Sequence, residues 1–203
     1  MLGAVPPAAP SAADPSSAWR ATVERLGSSR FNYWFGYAAN LTVVALLMQR
    51  AHVGWSAADS AAGTAGWALA GLVLWTLAEY LLHRFVYHAW HSFLSVGHGI
   101  HHRSPRQLIG VPWYLTSLAA ALLWAGLSQV GRQTPTAVCL AFAWLGYLGY
   151  CLSHHGSHHW AMRGRWLRAR KRHHMLHHAH PGYNWGFTTS LWDRVFGTQW
   201  PPG

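Results

Sequence analysis

The stretch SHHGSHHWAMRGRWLRARKRHHMLHHAHPG, residues 153–182, contains nine of the chain's sixteen histidines and neither aspartate nor glutamate. Its histidines recur three and four residues apart, and residues at those separations share one face of an α-helix. Neutral imidazole is the commonest metal ligand among protein side chains. The stretch therefore predicts helices that direct several uncharged nitrogen ligands toward one place.

Related clusters lie upstream. HGIHH at residues 98–102 repeats the spacing of HMLHH at 174–178, so each triplet can present three imidazoles on one helix face. His83 and His88 are five residues apart, about 140° around an ideal helix, and they converge only if the helix ends or bends there. The ten candidate metal ligands are His83, His88, His98, His101, His102, His154, His158, His174, His177 and His178.

Ten imidazoles are too many for one catalytic zinc, which takes about three protein ligands and a water. They suit two metals with about five ligands each, and imidazole binds Zn, Cu, Fe and Ni. Soluble di-iron bundles use glutamates, but this chain has only five acidic residues. We therefore expect carboxylates to orient ligand rings by accepting a ring N–H. Glu79, one helical turn before His83, is expected to do so, and Asp193 either does the same for the last triplet or caps a turn.

The composition indicates a membrane protein. Hydrophobic residues make up 51% of the chain and charged residues only 10%, which is little charge for a small soluble surface. Four apolar stretches are long enough to cross a bilayer as helices, and we predict an all-α integral membrane protein. Buried helices of a soluble bundle remain the alternative. The predicted spans are residues 32–48, 65–82, 111–130 and 134–153.

Basic residues orient these spans. If both termini lie inside, the outer loops keep only Arg50 and Arg132, which is the asymmetry that sets topology. Both termini and the histidine clusters are then cytoplasmic. The net charge of +10 also raises the possibility of nucleic-acid binding. We expect no nucleic-acid partner, because the basic run RGRWLRARKR at 163–172 adjoins a predicted membrane face, where anionic headgroups lie.

The N-terminal thirty residues are rich in Ala, Pro and Ser, and they have no continuous apolar centre. Such a composition cannot bury a core. We expect a disordered tail over residues 1–30 that runs into a short amphipathic piece at about 17–26. The remaining residues, 31–203, form the predicted membrane domain.

Four segments together carry a family resemblance: EYLLHRFVYH (79–88), GHGIHHRSP (97–105), YCLSHHGSHH (150–159) and RHHMLHHAHPGYNWGFTTSLWDRVFGT (172–198). In this order they resemble the fatty acid hydroxylase (sterol desaturase) superfamily of integral membrane di-iron oxygenases. Within it the chain looks most like the sphingolipid fatty acyl 2-hydroxylases. The resemblance covers about residues 65–198.

The resemblance implies a stem of four transmembrane helices beneath a cytosolic, histidine-rich helical cap that holds two metals through the ten histidines. It implies O₂ activation with electrons from a separate donor protein, and no catalytic residues beyond the metal ligands. The expected metal is iron, although zinc competes well for imidazole and can occupy the sites in purified protein. His155 and His173 are then additional histidines, expected either to support the ligand rings or to lie on the surface.

An acyl chain from the bilayer is the expected substrate, because a capped stem admits a lipid beneath the metals. The aromatic residues Trp113, Tyr114, Trp185 and Phe187 are its expected walls, with packing in the core or at the membrane interface as the alternative. Hydroxylation of a lipid acyl chain is the favoured function. The alternatives are a desaturase or hydroxylase of a sterol or carotenoid, a non-redox metal-dependent lipid hydrolase, and a metal-storing or metal-transporting protein.

Overall fold

A computed structural model describes residues 15–89 and 92–201, and the regular structure within those ranges is entirely helical. The prediction of disorder for residues 1–14 lies outside the described residues. The elements are α1 (Pro15–Gly27), α2 (Arg30–Val53), α3 (Ala61–Leu81), a π-helical segment (Leu82–Tyr87), α4 (Phe93–Arg103), α5 (Trp113–Val130), α6 (Gln133–His159), α7 (Arg165–Ala179) and α8 (Leu191–Val195).

Helices occupy all four predicted spans. Two of them, Ala61–Tyr87 and Gln133–His159, are long and apolar enough to cross a membrane. Only 17% and 22% of their most apolar windows are buried, which favours lipid-facing helices over the core helices of a soluble bundle. The exposed leucines along the long helices include Leu69, Leu74, Leu118, Leu122 and Leu145.

Helix α6 lies at the centre of the long helices. Its Leu140 and Ala141 pack on Leu47 of α2, while the other side of α6 receives α3. There the backbones come close, because Gly71 has no side chain to separate them. A Cβ atom on Gly71 would lie 2.2 Å from the carbonyl oxygen of Cys139. Small residues allow this close approach between helices in membranes.

The π-helical segment Leu82–Tyr87 follows α3 directly. A π-helix bonds residue i to residue i+5, so residues five apart come nearly into line along one face. His83 and His88 are such a pair, and their ring centroids lie 5.2 Å apart. The change of helix type thus supplies the bend that the spacing of these two histidines requires.

Helix α1 packs against α4, and the predicted amphipathic piece at 17–26 lies within it. Val23 is fully buried. The amide of Gly110 donates to the carbonyl of Gly27 at 3.0 Å, and the side chain of Gln107 donates to Glu24 at 3.0 Å. This part of the N-terminal segment is therefore attached to the rest of the protein.

Replacing Gly71 with alanine should lower the thermal stability of the detergent-solubilised protein. The new methyl group would overlap the α6 backbone, and overpacking of this kind costs about 1–3 kcal/mol. Gly66→Ala is the matched control on the same helix, because no atom lies within 4 Å of its added Cβ. The control should be neutral or slightly stabilising, since alanine favours helices over glycine by about 1 kcal/mol. Equal melting temperatures for the two variants would contradict the close α3–α6 contact.

Candidate metal centre

Five histidines from the π-helical segment, the residue that follows it, α4 and α7 form the first group, in which all ligand atoms lie within 4.8 Å of one another. The Nε2 atom of His98 lies 3.1 Å from that of His83 and 3.0 Å from those of His88 and His102. The Nε2 atom of His177 lies 3.2 Å from those of His88 and His102. Elements far apart in sequence therefore direct the Nε2 atoms of their histidines to one point.

The second group contains His101, His158, His174 and His178, whose ligand atoms also lie within 4.8 Å of one another. The Nε2 atoms of His158 and His174 are 2.9 Å apart, and that of His178 is 3.1 Å from those of His101 and His174. His154 lies beside this group, with its ring centroid 4.6 Å from those of His101 and His174. Its Nε2 is buried and has no hydrogen-bond partner within the described residues.

Hydrogen bonds among imidazoles cannot account for these distances. A neutral imidazole nitrogen offers either one N–H or one lone pair, whereas His98 Nε2 has three nitrogen neighbours at 3.0–3.1 Å. Two nitrogens bound to one metal at about 2.05 Å lie about 2.9 Å apart at a right angle and about 3.3 Å apart at the tetrahedral angle. The observed separations fall between these values. Both histidine groups are therefore compatible with a metal site.

Backbone carbonyls fix the tautomers of two rings. His83 Nδ1 donates to the carbonyl oxygen of Trp185 at 2.5 Å, and His177 Nδ1 donates to that of Tyr183 at 2.7 Å. A carbonyl oxygen can only accept, so Nδ1 must carry the proton in each ring. The lone pair of Nε2 then points into the first group, as a metal ligand requires.

Burial lowers the pKa of every histidine in the two groups, which favours the uncharged ring near neutral pH. Burial, and next the proximity of other imidazoles, lowers the pKa of His88 to about 4 and that of His102 to about 3. Burial also lowers the pKa of His177 to about 4, although the bond to Tyr183 opposes the shift. Because these pKa values are lowered, protons compete with a metal ion for these nitrogens only below about pH 4.

A loop between α7 and α8 holds the carbonyl of Trp185 in place. Asp193, fully buried, accepts from the amides of Trp185 and Gly186 at 2.8 and 2.9 Å. Glu79 accepts from the amide of Thr188 at 2.8 Å and from the Thr188 hydroxyl. Gly186 must be glycine, because a Cβ there would lie 2.3 Å from the Thr189 carbonyl oxygen. Two carboxylates thus act on the ligands through this loop.

The same loop covers one side of the histidines. The ring of Trp185 packs against His88 and His177, with centroids 4.8 and 5.2 Å away. Phe187 packs against His174 and His154 at 5.1 and 5.7 Å. These apolar rings exclude water from that side of the groups.

A cavity of about 140 Å³ reaches the histidines from the other side, between α1, α2, α4 and α6. His98 of the first group and His101 of the second both line it. Phenol, amide and thiol groups share its wall with aliphatic side chains, and no Lys, Arg, Asp or Glu is among the described residues around it. Its polar members are Asn32, Tyr33, Tyr37, Asn40, Tyr87, Tyr147, Tyr150 and Cys151.

Residues 68–198 match the family model described as fatty acid hydroxylase. The protein belongs to the fatty acid hydroxylase family. All ten candidate ligands lie within the matched range, so the family assignment and the two histidine groups concern the same part of the chain.

The curated relatives of this family member include proteins named as fatty acyl or fatty acid 2-hydroxylases. It is 34% identical over 142 residues to the dihydroceramide fatty acyl 2-hydroxylase FAH2 of Arabidopsis thaliana, covering 63% of this chain and 58% of that protein. It is 32% identical over 146 residues to the fatty acid 2-hydroxylase of Homo sapiens, covering 64% and 38%. The chain thus spans only part of the length of the relatives it matches.

The fold of this family member resembles that of a solved structure described as full-length scs7p, with only the hydroxylase domain visible. The TM-score is 0.69 at 24% sequence identity, over 82% of this chain and 67% of that chain. The resemblance to the 2-hydroxylases expected from the sequence is confirmed by the family match and the curated relatives. For the architecture, the described structure is all-helical and contains two helices able to cross a membrane.

The structure brings nine of the ten predicted ligands into the two groups and places the tenth, His154, beside the second. The expected bond from Glu79 to a ligand ring is contradicted. Glu79 and His83 would share a face only in a continuous α-helix, and the π-helical segment begins between them at Leu82. Glu79 binds Phe187 and Thr188 instead.

The other expected supporting residues contact groups other than the ligand rings. Asp193 accepts from His173 Nε2 at 3.1 Å and from two loop amides, which are the contacts of its alternative role as a turn cap. His173 therefore supports the loop that Asp193 holds. His155 turns away from both groups, and its Nδ1 lies 2.9 Å from the hydroxyl of Tyr33. Its ring stacks on His159 with centroids 4.2 Å apart.

None of the four expected substrate-contacting aromatics lines the cavity. Trp185 and Phe187 lie on the closed side of the histidines, in contact with ligand rings. Trp113 packs edge-on against Phe35, and Tyr114 is 45% exposed on the outside of α5. These contacts correspond to the alternative of core or interfacial packing.

The tyrosines that do line the cavity were not among the predicted site residues. Tyr33 and Tyr37 are four residues apart on α2, and Tyr147 and Tyr150 are three apart on α6. This spacing places each pair on one helix face, which was a usable signal. The fifth, Tyr87, precedes the ligand His88.

His101→Ala and His177→Ala should each lower the metal content of the purified protein, because each removes a central nitrogen from one group. His52→Ala is the control, since His52 is exposed on α2 and belongs to neither group. Metal content by mass spectrometry, with a melting temperature for each variant, is the measurement. Native metal content in both ligand variants would contradict the assignment.

Glu79→Ala should lower metal affinity about 10–100-fold, the usual effect of removing a group that orients a ligand. The change leaves the amides of Phe187 and Thr188 without their acceptor, and each buried unpaired group costs about 1–3 kcal/mol. Glu79→Gln keeps one carbonyl oxygen for both amides and should retain most of the affinity. Metal titration of the two variants compares them, and native affinity in Glu79→Ala would show that the loop needs no carboxylate.

Proposed function

We propose that this protein is a membrane hydroxylase that inserts one oxygen atom from O₂ into a lipid acyl chain. The observation that carries the proposal is that both histidine groups border one cavity. A substrate carbon in that cavity lies beside ligands of both groups, namely His98 and His101. The hydroxylases among the relatives support the same reaction class, and their names favour the carbon next to the acyl carbonyl.

The proposed cofactor is a pair of iron ions, one held by each group. His83, His88, His98, His102 and His177 would hold the first. The second would be held by His101, His158, His174 and His178, with His154 as a further ligand. Iron so bound supplies the redox chemistry needed to activate O₂. Zinc also suits imidazole and is expected as a competitor in purified protein.

The surrounding residues prepare the site for this chemistry. Trp185 and Phe187 shield the ligand rings from water, which protects a reactive oxidant from side reactions. The loop carbonyls hold two rings in one tautomer before substrate arrives. The cavity wall combines apolar surface with neutral hydroxyl and amide groups, so it can accept an acyl chain and hydrogen-bond uncharged polar atoms near its reacting end.

The proposed topology has four spans, with both termini and the histidine cap on the cytoplasmic side. Helices α2 and α5 contain 24 and 18 residues, which corresponds to about 36 and 27 Å at 1.5 Å per residue. Both lengths are close to the roughly 30 Å of a hydrocarbon core. All ten ligands then lie near the ends of the helices that face the basic inner segments.

Hydrolysis is less well supported than oxidation. A metal-dependent hydrolase needs a general base near its metal-bound water. The two acids closest to the histidine groups, Glu79 and Asp193, already accept backbone N–H groups of the loop. Both carboxylates are therefore committed to holding the structure.

Lipid mass spectrometry under ¹⁸O₂ tests the proposal. Cells that express the protein should accumulate a lipid whose acyl chain carries one heavy oxygen, and cells that express His101→Ala should not. Fragmentation of the product locates the oxygen, which is expected next to the carbonyl. Loss of two hydrogens would instead indicate a desaturase. A hydroxylated lipid without ¹⁸O, whose oxygen therefore came from water, would refute the proposed oxygenase reaction. Unchanged lipids would refute it as well.

A further inference from the structure

The outer face of α7 is a basic ridge formed by Arg165, Arg168 and Arg172. At about 100° per residue these side chains fall within about 60° of one another around the helix. All three are exposed. Residues 153–182 contain no acid, so no carboxylate from this part of the chain neutralises the ridge.

The ridge lies directly behind the metal ligands of the same helix. His174, His177 and His178 occupy the opposite side of α7, about 120–220° around from Arg165. An α-helix with its side chains is about 10–12 Å thick, so the ridge is separated from these imidazoles by roughly one helix diameter. Electron tunnelling weakens steeply with distance, and α7 offers a short path from the protein surface to both histidine groups.

The proposed reaction requires electrons from outside the protein. Hydroxylation follows R–H + O₂ + 2 e⁻ + 2 H⁺ → R–OH + H₂O, in which the C–H bond is replaced by C–O and the second oxygen atom leaves as water. The substrate supplies two of the four electrons that reduce O₂. The other two must come from a reductant, and a one-electron carrier must therefore be oxidised twice in each turnover.

We propose that the α7 ridge is the docking surface for a soluble one-electron carrier protein, of the iron–sulfur or haem class, whose own docking face is acidic. This inference rests on the proposed function. A surface of one sign attracts a partner of the opposite sign and increases the rate of encounter. Trp166, 60% exposed at the start of α7, adds a side chain type that is enriched with arginine at protein interfaces.

A carrier protein fits the ridge better than a lipid surface does. A helix that binds in the membrane interface needs a broad apolar face to insert below the headgroups. Among the exposed residues of α7, the ridge has only two apolar neighbours, the small Ala169 and the large Trp166. The ridge therefore has no broad apolar face. Helix α8 shows the contrasting pattern, with Leu191 and Val195 exposed at 48% and 59%.

Charge reversal on the full chain in phosphatidylcholine nanodiscs tests the proposal. The variant is Arg168→Glu/Arg172→Glu, and Arg20→Glu/Arg25→Glu on α1 is the matched control, because it changes the net charge equally at two exposed arginines. The probe is an acidic [2Fe–2S] ferredoxin kept reduced by NADPH and its reductase. Measured quantities are the Kd of the ferredoxin, its KM in turnover, turnover with dithionite, and metal content.

The α7 variant should raise both the Kd and the KM for ferredoxin at least tenfold, while dithionite-driven turnover and metal content stay native. The α1 control should change neither constant. Native Kd and KM in the α7 variant would overturn the proposal, as would equal changes in both variants. The same two variants are also placed in nanodiscs that contain phosphatidylglycerol. If the α7 variant binds less phosphatidylglycerol but keeps the native Kd for ferredoxin, the ridge binds headgroups and the proposal is overturned.

Failure of the proposed function is distinguishable from failure of this inference. If wild-type protein makes no hydroxylated lipid with either reductant, the proposed function fails. The Kd comparison still decides the docking surface in that case, because binding of ferredoxin does not require turnover. If the α7 variant loses metal, the single variant Arg168→Glu replaces it in the same measurement. A rise in Kd is again expected, and a native Kd would overturn the proposal.

Discussion

Convergence of neutral imidazoles is the constraint on which the rest of the structure depends. A metal ligand must present its lone pair, so each ring needs the correct tautomer and must remain uncharged. The protein meets the second requirement by burial and crowding, which lower the pKa of His102 to about 3. It meets the first where loop carbonyls accept the Nδ1 proton of His83 and of His177. The π-helical segment, the close α3–α6 contact and the α7–α8 loop all serve to bring these rings together.

Neutral ligands would leave the charge of the two proposed metal ions uncompensated, and a buried unpaired charge is costly. The nearest carboxylates, Glu79 and Asp193, lie behind the ligand layer and are hydrogen-bonded to the loop. Their hydrogen bonds act on the histidine groups through the backbone of the loop. The same two residues thus position the ligand rings without binding them. Their arrangement also explains why an acid-poor chain retains both of these acids in buried positions.

The parts of the site that depend on helical periodicity could be predicted from the sequence. The triplets at 98–102 and 174–178 and the pair His154 and His158 needed only the spacing of an α-helix, and the helices are where they were expected. The supporting contacts could not be predicted, because they depend on a loop that folds back across the cluster and on a π-helical segment that rotates His83 relative to Glu79. The walls of the cavity could not be predicted, because the contribution of Val23 and Gly27 depends on how α1 packs against α4.

The most direct test of the central claim is anomalous X-ray diffraction, at the iron absorption edge, from crystals of iron-loaded protein. Two anomalous peaks are expected, one among His83, His88, His98, His102 and His177 and the other among His101, His158, His174 and His178, with His154 beside it. Both should be surrounded by Nε2 atoms, with no carboxylate from Glu79 or Asp193 as a ligand. A single peak, or a peak bound by either carboxylate, would contradict two metal sites built from neutral imidazoles.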